Sequence, residues 1–125
     1  MTHDALTILL IEDNPMFYPL AKKALEGHEL LTAGTAEKGI SLFKKYTPHI
    51  VFLDINLPDG NGHDVLKELR EIIPDAYVIM LTGSRLIDDI TRSYDQGANG
   101  YIIKPFSKER IVEAIAEYRQ ATSLS

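Results

Sequence analysis

Cysteine is absent from this chain of 125 residues. Its absence removes disulfides, thiolate zinc sites and cysteine nucleophiles together, and it permits a reducing compartment. Long apolar runs are missing too, since no stretch approaches the roughly 20 residues of a membrane span. The opening Met1-Thr2-His3-Asp4 lacks the basic residues that begin a signal peptide. A cytoplasmic location without membrane association is therefore expected. Positive charge is scarce: 13 Lys and Arg stand against 18 Asp and Glu, a net charge of −5. Direct nucleic-acid binding needs a basic footprint. The only adjacent basic pairs, Lys22-Lys23 and Lys44-Lys45, fall on polar faces of expected helices, so no nucleic-acid contact is expected. The four histidines, His3, His28, His49 and His63, show no metal-ligand spacing and are read as surface residues.

What the chain does have is alternation. Apolar runs of four residues, Ile8 to Ile11, Ile50 to Leu53 and Val78 to Leu81, are bounded by polar ones, and a shorter run covers Tyr101 to Ile103. Such runs read as parallel strands buried on both faces. A further short strand is expected over Glu29 to Ala33. Helical patterns separate the strands. Asn14 is read as a cap with Pro15 at the first helical position, and that helix ends at Gly27. Thr35 caps a second helix that stops before Pro48. A third carries Leu66, Leu69 and Ile73 inward. A fourth, capped by Ser84, offers only a thin stripe of Leu86, Ile90 and Tyr94. The last, capped by Ser107, presents Ile111, Val112, Ile115 and Tyr118.

Five strand–helix repeats with right-handed crossovers predict an α/β flavodoxin-like doubly wound (βα)5 domain. Its five-stranded parallel sheet has the order 2-1-3-4-5, with helices on both faces. Residues 1–120 are expected to form this one domain, and 121–125 a tail or the start of a linker.

The chemistry-bearing residues cluster in this topology. Glu12-Asp13 follow the first strand, Asp54 the third, Thr82-Gly83 the fourth, and Lys104-Pro105 the fifth. Ligand sites of open α/β sheets lie outside the carboxyl ends of the strands. Each residue alone has an ordinary explanation: a helix-dipole partner, an Asx turn, a strand-end threonine, a surface lysine. Together they bring three carboxylates, a hydroxyl and an ammonium to one sheet edge. Two carboxylates about 4 Å apart repel by roughly 4 kcal/mol at an effective dielectric near 20, so the cluster calls for a cation. Oxygen donors without Cys or His suit a hard ion such as Mg²⁺. An aspartate held there can attack phosphorus, with Lys104 and the Thr82 hydroxyl meeting phosphoryl oxygens. Gly83 leaves room for the group.

These motifs carry a resemblance. The chain is similar, over essentially its whole length, to the response-regulator receiver domains of two-component signalling, of the chemotaxis-regulator type. Four motifs in order support it: Glu12-Asp13, the segment Asp54 to Gly62, Thr82-Gly83, and Gly97 to Phe106. The resemblance implies that Asp54 is the phosphoacceptor and that Glu12, Asp13, Asp54 and the Asn56 backbone carbonyl hold Mg²⁺. It further implies that Lys104, Thr82 and Gly83 bind the phosphoryl group, that Thr82 and Tyr101 form a switch pair, and that the Lys104–Pro105 peptide is cis. Departures are small: Glu at position 12 where Asp is commoner, Leu57 in place of Met, and Gly100 in place of Asp or Asn.

The function implied is a phosphorylation-controlled signalling switch in a phosphorelay. A sensor histidine kinase or histidine phosphotransfer protein would supply the phosphoryl group. The output would be a change on the face of the fourth helix, fifth strand and last helix, read by a downstream protein or a second copy. Self-catalysed phosphorylation and dephosphorylation would be its only chemistry, so it is not read as a conventional enzyme. An alternative is a receiver fragment of a larger transcription factor or hybrid kinase. An Asp-nucleophile phosphatase is disfavoured because Asn56 stands where a general acid is needed. An FMN carrier is disfavoured because Glu12-Asp13 would repel its phosphate.

Overall fold

The computed structural model describes residues 5–83 and 87–122. Five strands form one parallel sheet: β1 (Thr7–Ile11), β2 (Glu29–Ala33), β3 (Ile50–Asp54), β4 (Val78–Thr82) and β5 (Gly100–Ile103). Its order is β2-β1-β3-β4-β5, as the alternation predicts. The helices between and after them are α1 (Phe17–Ala24), α2 (Ala36–Tyr46), α3 (Gly62–Ile72), α4 (Ile87–Asp95) and α5 (Lys108–Thr122). A two-residue antiparallel ladder, Asn56–Leu57 with Gly60–Asn61, closes the turn after β3.

Side-chain alternation splits the interior into two cores. Leu9, Ile11, Val51, Leu53, Val78, Met80 and Tyr101 pack on the side of α2 and α3. Ile8, Leu10, Ile50, Phe52, Ile79, Leu81 and Ile102 pack on the side of α1 and α5. Successive residues of a strand point to opposite faces, so a run apolar at every position feeds both cores. That is why β1, β3 and β4 carry unbroken apolar sequence.

Several local expectations shift. α1 begins at Phe17, not Pro15; the Asn14 side chain instead accepts from the Met16 amide at 3.0 Å, closing a turn ahead of the helix. Pro19 then falls in the first helical turn, where its missing N–H costs nothing. Thr35 caps α2 as expected, accepting from the Lys38 amide at 3.1 Å. On α4, Tyr94 faces solvent and Ser93 is the buried residue, with Ile90 half-buried. Ser84 and Leu86 lie outside the described residues. Val112 of α5 also faces out, and Ala114 takes the inward place. Ile111, Ala114, Ile115 and Tyr118 follow the i, i+3, i+4, i+7 stripe, and Val112 lies a quarter turn away from it. His63 corrects the surface reading, since it is only 5% exposed. His28 is half-buried and His49 exposed; their Nδ1 atoms accept from the Leu6 and Thr7 amides at 2.9 and 3.0 Å. His3 lies outside the described residues. Among the described residues no helix is long and apolar enough to cross a membrane.

Candidate functional site at the carboxyl edge of the sheet

β1 and β3 end side by side, in register from Ile8↔Ile50 to Ile11↔Leu53. The next residues in each chain are therefore Glu12 and Asp54. Both are buried, Glu12 at 0% and Asp54 at 3% exposure, whereas Asp13 is exposed. One carboxylate oxygen from each of the three lies within 4.8 Å of the others. The sequence places three acids at one edge, and the fold draws them into one cluster.

Lys104 enters from the end of β5. Its Nζ pairs with Glu12 Oε1 and lies 3.2 Å from Asp54 Oδ1. The second Glu12 oxygen accepts from the Asn14 amide at 3.0 Å. Burial pushes the Glu12 carboxyl above its ordinary value, and the Asp54 charge adds to this. Hydrogen bonds from Lys104 and the Asn14 amide pull it back. Asp54 Oδ1 also accepts from the Asn56 amide at 3.2 Å. The Asx turn and the cluster are thus one arrangement, because that bond fixes the plane of the carboxylate.

Thr82 ends β4, is buried at 3% exposure, and accepts through its carbonyl from the Lys104 amide at 2.7 Å. Strand alternation puts it on the same face as Met80 and Tyr101. Tyr101 is already inside that core at 9% exposure. Gly83 is exposed, with open space where a Cβ would stand. The Lys104–Pro105 peptide is cis. All the expected site residues thus lie at or beside this edge, with Asn56 exposed in the turn below Asp54.

Sequence reasoning assigned no role to five supporting residues. Phe17 and Phe106 stack with ring centroids 4.8 Å apart, and the Lys104 ammonium lies 5.0 Å from the Phe17 centroid. The stack props the lysine stem towards the acids, with a cation–π contribution. The Tyr18 hydroxyl donates to the Glu12 carbonyl at 2.5 Å. Burial, then the Glu12 and Asp13 charges, raise its phenol pKa. Asp59, in the turn after β3, accepts from the Ala36 and Glu37 amides at 2.7 and 3.1 Å. Gly62 opens α3 against the backbone of Asp54 and Ile55; a Cβ there would come within 2.4 Å of the Asp54 carbonyl oxygen. Only glycine permits that approach.

The acids, lysine and hydroxyl have company among known proteins. The chain is 35% identical over 109 residues to the probable transcriptional regulatory protein TcrX of Mycobacterium tuberculosis, covering 86% of this chain and 47% of that protein. It is 32% identical over 116 residues to the chemotaxis protein CheY of Halobacterium salinarum, covering 90% and 96%. Among solved structures, a CheY-like response regulator receiver domain protein from Methanospirillum hungatei superposes with a TM-score of 0.88 at 27% identity, covering 97% and 99%. The chain spans about half the length of TcrX and of several other regulators it matches. The family model described as the response regulator receiver domain matches residues 8–116, nearly the whole sheet and its helices. With strand order, sequence similarity and superposition agreeing, this chain belongs to the response regulator receiver domain family.

Proposed function

We propose that this chain is a phosphorylation-controlled switch that takes a phosphoryl group on Asp54 from a histidine kinase or phosphotransfer protein. The observation that carries the reading is the convergence of Glu12, Asp13 and Asp54 with Lys104 at the sheet edge. The donor set suits Mg²⁺: carboxylates without sulfur or imidazole, plus the Asn56 backbone carbonyl in the adjoining turn. When bound, Mg²⁺ supplies positive charge against the crowded carboxylates and the phosphoryl oxygens. Asp54 supplies the nucleophile. Its carboxylate oxygen bonds to phosphorus while the phosphorus–nitrogen bond of a phosphohistidine breaks, and the electron pair leaves with the imidazole. Lys104 offers an ammonium to the phosphoryl oxygens, and Thr82 a hydroxyl. The surrounding burial strengthens both contacts. The chain's own chemistry is limited to gaining and losing this group.

The switch runs through β4 and β5. Thr82 and Tyr101 share one face, and α4 covers it with one buried serine and a half-buried isoleucine. Weak apolar cover leaves a helix near balance between arrangements. Because Tyr101 is already inward, the phosphoryl group is expected to lock that position and repack α4 rather than to pull the ring in. The outer surface of α4 exposes Ile87 and Tyr94 to a partner or second copy.

Amide NMR spectra with Mg²⁺, recorded with and without beryllofluoride as phosphoryl mimic, test this reading. Shift changes should reach Ile87–Asp95 and Gly100–Ile103. Changes confined to the loops beside Asp54 would place the output elsewhere.

A further inference from the structure

We infer that Asp59 is a positioning residue for the metal site, locking the loop that carries the Asn56 carbonyl onto the first turn of α2. This rests on the reading that the Asn56 carbonyl is a metal ligand. Asp59 follows Pro58 at the tip of the short ladder, where Asn56 pairs with Asn61 and Leu57 with Gly60. Its two carboxylate oxygens accept from the Ala36 and Glu37 amides, 23 and 22 residues away in sequence. Those bonds hold the carboxyl below its ordinary value, the Ala36 amide contributing most. A carboxylate facing helix N–H groups forms charge-assisted bonds and gains from the helix dipole.

The far end of this tether is fixed. α2 has its own cap in Thr35, so the helix does not need Asp59 to begin. Gly39 seats α2 on β1 so closely that a Cβ would come within 2.5 Å of Ile11 Cδ1. Ile11 immediately precedes Glu12-Asp13. The near end is fixed by α3, whose Gly62 amide donates to the Ile55 carbonyl at 2.6 Å. The Asn56 loop is therefore held between α3, which leans on β3, and α2, which leans on β1. Asp59 sets the distance between the carbonyl on one strand's loop and the acids on the other. Without it, the ordering of this loop falls to the metal-binding step, and the site needs more Mg²⁺ to fill.

A plain cap of α2 would predict lost stability only, so the test compares Asp59 with Thr35. The Mg²⁺ concentration giving half-maximal labelling by acetyl phosphate, the labelling rate at saturating Mg²⁺, and the unfolding midpoint are measured for wild type, Asp59→Ala, Asp59→Asn and Thr35→Ala. Supporting partners of metal ligands typically govern 10–100-fold in affinity, so Asp59→Ala is expected to raise the Mg²⁺ requirement about tenfold. The rate at saturation should stay near wild type. Asp59→Asn, which keeps an acceptor oxygen, should shift the requirement less. Thr35→Ala should lower the midpoint and leave the Mg²⁺ requirement unchanged. An unchanged requirement in both Asp59 variants, or an equal shift in Thr35→Ala, would overturn the inference. A wild type whose labelling ignores Mg²⁺ would overturn the metal reading itself and this inference with it.

Discussion

Replacing Asp13 with Asn should make the metal-free protein more stable and the metal-loaded protein less so. The carboxylates of Glu12, Asp13 and Asp54 approach within 4.8 Å of one another. Two unit charges at that separation repel by about 3.5 kcal/mol at an effective dielectric of 20 and about 0.9 kcal/mol in bulk water. Asp13 is exposed, which moves the value towards the lower figure, and Lys104 offsets part of the field around Glu12 and Asp54. A net gain of about 1 kcal/mol on removing the Asp13 charge is reasonable on these terms. For a domain of 125 residues, 1 kcal/mol corresponds to roughly 4 °C in unfolding midpoint. Far-UV circular dichroism melts in EDTA should show that rise for Asp13→Asn. Added Mg²⁺ should then stabilise wild type more than the variant, because bound ligand raises stability in proportion to ln(1 + [L]/Kd). The variant curve should start above wild type and be overtaken as Mg²⁺ increases. A lower midpoint in EDTA for Asp13→Asn would refute the reasoning and make Asp13 a hydrogen-bonded structural residue.

Lys104→Ala leaves the buried Glu12 and Asp54 carboxylates without their ammonium. Breaking such a pair costs about 3 kcal/mol, and the loss should shrink as pH falls, since Glu12, with its carboxyl already raised, then takes a proton. A midpoint equal to wild type at neutral pH would contradict the pairing, and unimpaired phosphorylation would contradict a catalytic role. Tyr101→Ala should impair partner binding and lower stability, because it opens a cavity in the α4-side core. It should leave Asp54 labelling intact; loss of labelling would assign Tyr101 to the chemistry. His28 has its pKa lowered, by burial first and then by the Arg119 charge, and its neutral Nδ1 accepts from the Leu6 amide. Its contribution is present above the ordinary value of 6.5 and is lost as pH falls below it towards the lower folded value. His28→Gln should flatten the fall in melting midpoint over that range, and an unchanged slope would remove His28 from the acid response.

The strands were the most legible part of the fold, because residues buried on both faces leave unbroken apolar runs. β1, β3 and β4 follow from those runs alone, whereas the mostly half-buried β2 and the sheet order rest on the strand–helix alternation. α4 was the least legible. Leu86, Ile90 and Tyr94 suggest an inward stripe, yet the helix buries Ser93, whose hydroxyl returns to the Asp89 carbonyl at 3.1 Å. A serine that satisfies itself within its own helix carries no hydrophobic signal. The five chemistry-bearing side chains were legible because strand ends fix where they meet. Their supports were not. Asp59 reaches the start of α2, and the Tyr18 hydroxyl reaches the Glu12 carbonyl. Such contacts depend on distances between elements, which periodicity does not encode. The Phe17–Phe106 stack behind Lys104 belongs to the same class.

Site-resolved detection of the phosphoryl group tests the central claim most directly. The intact protein is incubated with acetyl phosphate and Mg²⁺, the acyl phosphate is trapped by borohydride reduction, and the modified residue is mapped by peptide mass spectrometry. A single phosphoryl group is predicted, carried by Asp54, absent with EDTA and absent in Asp54→Asn. Modification of Glu12 or Asp13 instead, or labelling of Asp54→Asn equal to wild type, would contradict the account.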